Sequence, residues 1–404
     1  MTENIFISSW KFHLIPLLLV EKKNNFIQER KAMLRKHITL GRISGISINL
    51  DYSWFLIFFL LAWILATNYF PLEIKGEPSV FYWGISVFTA ILFFISVLLH
   101  ELGHSFLARR FRIQVKKITL FIFGGVAEIK QEPPSAWAEF WIALAGPAVS
   151  FFLAGIFYFS GQMAAVRSGL WVMFSYLALI NFILAVFNLI PGFPLDGGRI
   201  FRAFIWGMIH NFRKATMIAA TTGRFFAYGF IIWGIFLIIS GNMFNGLWLA
   251  FIGWFLESAA VAQIHQQTLH DVLAGHTVKE ALNPDIQSVS SNTSIQDLID
   301  HHIIGKGHRY FLVNEKQKPV GLISMHRIKE IPHEKRKETN VSEIMIPEEK
   351  VREVNFKDNL WAALKEMDQD HVNQVLVMDD QRIAGILSRD SILSFIHDIQ
   401  ELEA

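Results

Sequence analysis

The segment His100-Glu101-Leu102-Gly103-His104 places two imidazoles and a carboxylate close together in the chain. Residues four positions apart share one face of an α-helix, so His100 and His104 could bind one metal ion together. Glu101 lies beside them and is a candidate general base, the role that the glutamate of an H-E-x-x-H motif has in metal-assisted hydrolysis. These residue types at this spacing therefore indicate a metallohydrolase site.

The apolar surroundings of this motif favour a functional site. No charged residue occurs from Tyr82 to Leu99, and ionisable side chains in such a segment are costly unless they have a partner or a function. The alternative is a helix end at the membrane interface, with solvated histidines and a group of arginines on the cytosolic side. That alternative leaves Glu101 beside two histidines unexplained, so we favour metal binding.

The composition indicates a membrane domain joined to a soluble one. The chain has 404 residues, of which 52% are hydrophobic, a formal net charge of +2 and no cysteine. Because the net charge is small, the composition predicts no nucleic-acid partner. Without cysteine, disulfides and thiolate zinc sites are excluded, and a transition metal must be held by His, Asp or Glu.

Long apolar segments predict six membrane-spanning helices. Four uncharged runs cover residues 54–71, 82–99, 140–166 and 169–195. A fifth stretch, residues 225–256, is too long for one crossing and contains Ser240-Gly241-Asn242, which we interpret as the turn of a helical hairpin. Since the number of spans is even, both ends of the membrane domain face the same side.

The distribution of basic residues predicts that this side is the cytosol. Lys and Arg are concentrated before the first span, between the second and third, and after the fourth. They are Lys22, Lys23, Arg30, Lys31, Arg35, Lys36, Arg42, Arg109, Arg110, Arg112, Lys116, Lys117, Lys130, Arg199, Arg202, Arg213 and Lys214. The other loops carry almost only Lys75 and Arg167. We therefore expect a multi-pass protein of the cell membrane with both termini in the cytosol and the histidines toward the cytosolic half.

Residues 1–37 are interpreted as a cytosolic leader. The run from Leu14 to Val20 is too short to span a bilayer, and no small-residue cleavage site follows it, so it is not assigned as a signal peptide. Met33 is an alternative start, since residues 34–50 lead directly into the first span.

The segment between the second and third spans has the periodicity of a strand. Ile118, Leu120 and Ile122 alternate with threonine and phenylalanine before Gly124-Gly125, which predicts a strand and a turn. One interpretation is an ordinary interfacial hairpin. The other is an exposed strand edge before Gly124 that binds an extended peptide by backbone pairing.

A second segment with chemical potential follows the fourth span, where residues 188–199 read N-L-I-P-G-F-P-L-D-G-G-R. Its prolines and glycines break the helix at membrane depth, which is tolerated only where the backbone is buried in protein or lines a cavity. By itself, Asp196 could be a loop residue or the N-cap of a helix starting near Gly197. With His100 and His104 it gives a His-His-carboxylate set that leaves one position for water, as catalytic zinc requires. We therefore expect Asp196 to be the third metal ligand.

These two motifs, in this order and at these membrane positions, resemble those of the site-2 protease family of intramembrane zinc metalloproteases. The resemblance covers residues 38–262 and implies a Zn²⁺ site formed by the ligands His100, His104 and Asp196. It also implies that Glu101 is the catalytic base and that Asn188 orients the substrate or stabilises the oxyanion.

A further similarity to this family lies in the third predicted span. Gly146-Pro147 is similar to the family's Gly-Pro motif, whereas Ser150 stands where many members have asparagine. That departure weakens any role assigned to this position by resemblance.

The C-terminal part of the chain contains two repeats offset by about 64 residues. Residues 277–282 match 340–345, and residues 320–324 match 384–388. Each half alternates short apolar strands with amphipathic helices, a pattern that resembles a tandem pair of CBS modules. We assign residues 263–276 to a linker, 277–332 to CBS repeat 1 and 340–398 to CBS repeat 2.

The resemblance to CBS modules implies a regulatory sensor that binds an adenosine nucleotide in the cleft between its repeats. The family's ribose-binding aspartate is replaced by Arg327 in the first repeat and by Ser391 in the second. These replacements disfavour nucleotide binding, so a homodimerisation module is an equal alternative.

The predicted fold class is a multi-pass α-helical membrane protein with about six transmembrane helices and a short membrane-associated β-hairpin, followed by an α/β tandem CBS domain. The predicted function is zinc-dependent cleavage of peptide bonds in or near transmembrane segments of other membrane proteins. A transporter or channel gated by the CBS domain is the alternative from another class. It would not explain H-E-x-x-H with a distant aspartate, and the spans show no obvious inverted repeat. A metal-bound but inactive scaffold would require Glu101 to be dispensable.

Overall fold

The computed structural model describes residues 38–122, 124–129, 132–304, 308–316, 318–370, 372–380 and 382–402. The predicted leader, residues 1–37, lies outside the described residues. The chain divides into two compact units, Met1–Ile264 and His265–Ala404.

Within the described part of the chain, six helices are long and apolar enough to cross a membrane, as predicted. They are α1 (Tyr52–Glu73), α2 (Ser79–Arg110), α3 (Ala136–Gln162), α4 (Gly169–Asn188), α6 (Phe212–Ile239) and α7 (Met243–Leu273). A shorter helix, α5 (Asp196–Ile209), lies between α4 and α6 in the chain. The predicted hairpin turn separates α6 from α7, and Gly241 adopts a φ of +87° there, which glycine tolerates best.

Short polar side chains start several of these helices. Asp51 accepts a hydrogen bond from the backbone N–H of Ser53 at the start of α1. Ser135 and Ser168 act in the same way at the starts of α3 and α4. The first N–H groups of a helix have no partner within it, so these caps satisfy donors that would be costly in an apolar environment.

Four strands of the first unit form one sheet in the order β1-β2-β3-β4. The strands are β1 (Ile38–Ile43), β2 (Ile46–Leu50), β3 (Val115–Phe121) and β4 (Gly124–Ile129). β2 and β3 are parallel and are connected through α1 and α2, whereas the other two pairs are antiparallel. The predicted hairpin is thus the β3–β4 half of a larger sheet.

The prediction of an exposed strand edge before Gly124 is wrong. β3, which precedes Gly124, is paired with β2 on one side and with β4 on the other. The free edge among the described strands on this side of the sheet belongs to β4, which starts at Gly124. The sequence did not reveal this because β2 pairs with a strand that lies two helices later in the chain.

The apolar face of the sheet packs against the C-terminal half of α2. Ile118 and Leu120 of β3 are buried there. Their neighbours in this core include Val97 and Leu102 of α2 and Ile142 of α3. The sheet, α2 and α3 therefore share one core immediately beside the His-Glu-His segment.

The second unit contains two similar halves, each built on an antiparallel hairpin with a parallel strand beside it. The strands are β5 (Gln287–Ser290), β6 (Tyr310–Glu315), β7 (Lys318–Ser324), β8 (Ile346–Pro347), β9 (Glu353–Asn355), β10 (Gln374–Asp379) and β11 (Arg382–Ser388). The helices are α8 (Ile295–Leu298), α9 (Met325–Lys329), α10 (Val341–Ile344), α11 (Leu360–Gln369) and α12 (Arg389–Leu402).

The register of the two hairpins shows the repeat directly. Tyr310 is paired with Ser324 in the first half, and Gln374 is paired with Ser388 in the second. Each half has its own buried core, with Phe311 in one and Val375 in the other. The predicted α/β repeats are confirmed.

Candidate metal centre

The three predicted metal ligands lie together in the structure. His100 and His104 are on α2, where each is only 4% exposed, and Asp196 is the first residue of α5. Both histidine Nε2 atoms lie 3.1 Å from Asp196 Oδ2, and they lie 3.3 Å from each other. In the ranges that the structure describes, this is the group of His, Asp and Glu side chains that could hold a metal ion.

The separations of these donor atoms fit a zinc ion. Zinc binds imidazole nitrogen and carboxylate oxygen at about 2.0–2.1 Å, so two donors of a tetrahedral site lie roughly 3.3–3.4 Å apart. The three observed separations, 3.1, 3.1 and 3.3 Å, are close to that value. Three protein donors also match the number used by catalytic zinc sites, which keep a fourth position for water or substrate.

Helix α3 holds both imidazoles in orientation. His104 Nδ1 donates a hydrogen bond to the carbonyl oxygen of Ile142 at 2.6 Å. Because a carbonyl can only accept, the proton is on Nδ1, and Nε2 keeps its lone pair for a metal. His100 Nδ1 lies 2.9 Å from Ser150 Oγ, so its Nε2 also faces Asp196.

The contact of Ser150 with His100 was not predicted, since the sequence showed only a departure from asparagine at this position. A hydroxyl can donate or accept, so serine suits either tautomer of the ring. Such outer partners of metal ligands commonly affect metal affinity by about 10–100-fold.

Two glycines leave room for the reactive side chains. A Cβ at Gly146 of α3 would overlap His104 Nε2 and would lie 2.6 Å from His100 Nε2. A Cβ at Gly125 of β4 would overlap Cγ of Glu101 and would lie 2.9 Å from its Cδ. α3 and β4 therefore approach the His-Glu-His segment more closely than any residue with a side chain would allow.

The carboxylate of Asp196 faces both imidazoles, with Oδ2 at 3.1 Å from each Nε2 atom. The residue begins α5, with Leu195 as the N-cap, so neither the loop nor the N-cap interpretation of Asp196 describes it. The first turn of a helix stabilises a negative charge, which suits an anionic ligand.

Glu101 lies next to the three candidate ligands and is not part of their group. Its carboxylate is in electrostatic range of His104, Asp196 and Arg199. Arg199, one of the basic residues that predict the membrane orientation, follows Asp196 by about one helical turn. An acidic group beside the ligand set can exchange a proton with a water bound there.

Asn188, the other predicted catalytic residue, makes a hydrogen bond within its own helix. It is the last residue of α4, and its Nδ2 donates to the carbonyl oxygen of Leu184 at 3.0 Å. Among the hydrogen bonds of the described residues, none joins Asn188 to the three ligands or to Glu101. Its assignment to substrate orientation or the oxyanion stays a prediction.

Known families match both units. The model of peptidase family M50 matches residues 88–165 and 161–230, and the CBS domain model matches residues 278–334 and 341–398. Of the two segments matched by the M50 model, residues 88–165 contain the His-Glu-His segment and residues 161–230 contain Asp196.

Relatives extend these matches over most of the chain. A protein of Mycobacterium tuberculosis named as the zinc metalloprotease Rip3 is 32% identical over 371 residues, which are 90% of this chain and 93% of the relative. A protein of Synechocystis named as a zinc metalloprotease is 30% identical over 366 residues, 89% of this chain and 95% of the relative. The solved structure of the site-2 protease from Methanocaldococcus jannaschii is 31% identical in sequence. The match covers 56% of this chain and 95% of the chain of that structure, with a TM-score of 0.41.

Six helices long and apolar enough to cross a membrane, and a His-His-Asp cluster with a glutamate beside it, are the features of a membrane-embedded metallohydrolase. With relatives of this identity and coverage, the chain belongs to peptidase family M50, the site-2 proteases, and carries a tandem of CBS domains. It is an intramembrane zinc metalloprotease, which confirms the predicted function over the transporter alternative.

Proposed function

We propose that His100, His104 and Asp196 are the zinc ligands of this protease. The observation that carries the proposal is the convergence of their three donor atoms at mutual distances of 3.1–3.3 Å. When bound, zinc polarises a substrate carbonyl and lowers the pKa of a coordinated water.

We assign the role of general base to Glu101. It follows His100 directly on α2, so its side chain is rotated around the helix axis by about 100° from His100 and about 60° from His104. It is therefore beside the ligands but outside their row, where it can accept the proton of the attacking water. The same carboxyl can then deliver that proton to the nitrogen of the leaving amine.

The proposed substrates are membrane proteins that are cut in or beside a transmembrane segment. A helical substrate hides its carbonyl groups in intrahelical hydrogen bonds, so the segment must unwind before it can be attacked. The free edge of β4 could hold the unwound segment by backbone pairing. Support comes from Gly125, where β4 touches Glu101, because a strand added at this edge would lie close to the reactive groups.

The membrane orientation proposed is the one that the basic residues favour, with the sheet, the C-terminal end of α2 and the loop before α5 on the cytosolic side. β1 and β2 precede α1, β3 and β4 follow α2, and the loop before α5 follows α4. Because successive spans alternate in direction, these segments lie at the same end of the helix bundle. Cleavage would then occur toward the cytosolic half of the membrane.

For the CBS pair we propose a regulatory or dimerisation role without conventional nucleotide binding. The two residues that replace the ribose-binding aspartate both donate hydrogen bonds to backbone carbonyl groups. Arg327 Nη1 donates to the carbonyl oxygen of Ile344 at 3.2 Å, and Ser391 Oγ donates to that of Ser388 at 2.8 Å. Neither side chain offers the carboxylate that would accept hydrogen bonds from a ribose.

The zinc ligands are tested by the metal content of purified variants. His100→Ala and Asp196→Ala each remove one of three donors, so both should lose zinc and cleavage of a model transmembrane substrate together. His265→Ala, which changes an exposed histidine, is the matched control and should keep both. Full zinc occupancy in folded Asp196→Ala would refute the ligand assignment.

A further inference from the structure

Glu139, Arg202 and Thr216 form a polar cluster buried inside the membrane unit. Glu139 and Thr216 are 0% exposed and Arg202 is 7% exposed. Arg202 Nε donates to Glu139 Oε1 at 2.8 Å, its Nη2 reaches the same oxygen, and its Nη1 donates to Thr216 Oγ1 at 3.3 Å. The cluster joins α3, α5 and α6, and its hydrogen bonds do not involve the proposed zinc ligands.

The guanidinium of Arg202 also lies between two aromatic rings. Its Cζ is 4.8 Å from the ring centroid of Phe193 and 4.5 Å from that of Phe212. Phe193 belongs to the loop that leads into Asp196, three residues away. Arg202 therefore contacts the loop before Asp196, while Arg202 itself lies on the helix that starts at Asp196.

The same loop is packed against α6 with almost no free space. The N–H of Phe193 donates to the carbonyl oxygen of Ala219 at 3.3 Å, and the ring contacts a small core that contains Ala219 and Ala220. A Cβ at Gly223 would overlap the carbonyl oxygen of Phe193 and would lie 2.8 Å from its nitrogen. The position of Phe193 is thus fixed by α6 behind it and by Arg202 over its ring.

Helix α3 connects this cluster to the histidines. Glu139, Ile142, Gly146 and Ser150 are spaced by three, four and four residues, so they lie along one face of the helix. The carbonyl of Ile142 and the hydroxyl of Ser150 orient the two imidazoles, and Glu139 holds Arg202. One row of α3 therefore contacts both halves of the site: the histidines of α2 and, through Arg202, the loop before Asp196.

Stability alone does not explain a charged pair at this place. Removing a carboxylate and a guanidinium from water is costly, and well-packed apolar residues often stabilise a buried position as much or more. Oε2 of Glu139 has no hydrogen-bond partner among the described residues, so the pair is not fully compensated. Unlike apolar packing, the ion pair fixes an orientation, because Glu139 holds the planar guanidinium in one position against the ring of Phe193.

The geometry points to Glu139, Arg202 and Phe193 as positioning residues that hold Asp196 in register with the two histidines. This inference rests on the proposed role of Asp196 as a zinc ligand. The three residues fix the distance from α3 to the start of α5, and that distance determines whether Oδ2 reaches the site shared by both Nε2 atoms.

We call Glu139, Arg202 and Phe193 together the clamp. Two variants of the full-length protein test whether the clamp positions Asp196. Arg202→Lys keeps the charge but loses the planar group that stacks on Phe193, and Phe193→Leu keeps apolar volume but loses the ring. Zinc dissociation constants are measured by competition with a chelator, together with the melting temperature of the metal-free protein and kcat and KM for a model substrate. Both variants should bind zinc about 10–100-fold more weakly and lose kcat with KM unchanged, since outer contacts of metal sites have effects of this size.

Arg224→Gln is the matched control. Arg224 on α6 also pairs with a carboxylate, Glu257 at 3.5 Å, and its guanidinium lies 5.8 Å from the ring of Tyr228. Among the hydrogen bonds, ion pairs and ring contacts of the described residues, none joins its side chain to the loop before Asp196. The control should leave the zinc dissociation constant unchanged. If Arg202→Lys does not fold, Phe193→Leu decides, because it leaves the ion pair in place.

The outcomes separate this inference from the proposal on which it rests. Unchanged zinc affinity in folded Arg202→Lys and Phe193→Leu, with zinc lost in Asp196→Ala, would overturn the clamp alone. An equal loss of zinc affinity in Arg224→Gln would overturn it too, since the effect would then be general. Zinc retained in Asp196→Ala would overturn the ligand assignment itself.

Discussion

At the scale of single residues, the zinc site depends as much on an absent side chain as on the ligands. Gly146 faces both imidazoles, and a Cβ there would overlap His104 Nε2. A real Cβ essentially never comes within 3.0 Å of such a neighbouring heavy atom, so both rings would have to shift from their present positions. The Gly-Pro motif of α3 therefore has a steric reason in this chain.

Gly146→Ala should reduce zinc affinity and cleavage by at least about tenfold, because displaced imidazoles lose the geometry that zinc requires. Gly155→Ala is the control on the same helix, where an added Cβ meets no atom within 4 Å. Zinc content and cleavage rate of the two purified variants are compared. Wild-type zinc binding in Gly146→Ala would show that the rings adapt without loss.

The three proposed ligands could be singled out from the sequence because each is chemically distinctive. Two histidines and a glutamate at helical spacing, and an aspartate on a broken helix, indicate metal binding without knowledge of the fold. The carbonyl of Ile142 and the hydroxyl of Ser150 could not be predicted in the same way. They come from a helix some 40–50 positions later in the chain, and neither residue type is specific to metal sites.

At the scale of elements, the close approach of β4 to α2 places a strand against the proposed base. The sequence predicted β3 and the turn after it, because apolar alternation is a local signal. It did not predict β1 and β2, whose residues precede the first span and acquire their partner only when α1 and α2 bring β3 back beside β2. This non-local pairing leaves the free edge to β4.

Gly125→Ala should lower kcat while zinc stays bound. The added Cβ would overlap Cγ of Glu101, so the carboxylate must move, and the three atoms nearest to that Cβ all belong to Glu101 and none to a proposed ligand. A displaced general base typically costs about 10²–10⁴-fold in rate. The control is Gly41→Ala on β1, where the Cβ meets nothing within 4 Å. Equal rates for the two variants would argue against a role for β4 in positioning Glu101.

At the scale of the whole molecule, the membrane core and the repeats were both visible in the sequence, since apolar run length and internal repetition need no knowledge of long-range contacts. The hairpin turn at Gly241 and the equivalent hairpins of the second unit follow from these signals. The pairing of Arg202 with Glu139 was not visible, because Arg202 reads as one more basic residue of a cytosolic segment.

The proposed orientation predicts which loops reach the cytosol. A reporter that is active only in the cytosol should be active when fused after Arg213 or His270 and silent when fused near Lys75 or Arg167, because the basic segments stay on the cytosolic side. Activity of each fusion is normalised to its expression level. The reverse pattern would place the zinc site toward the opposite side.

The proposed mechanism requires Glu101 to accept and donate a proton and not to bind the metal. The measurement that tests this most directly is the zinc content and cleavage rate of Glu101→Gln, purified beside the wild-type protein and assayed on the same transmembrane substrate. The variant keeps the size of the side chain, so it should bind zinc at wild-type occupancy and cleave about 10²–10⁴-fold more slowly. Cleavage near the wild-type rate with zinc bound, or loss of zinc from the folded variant, would contradict the mechanism proposed here.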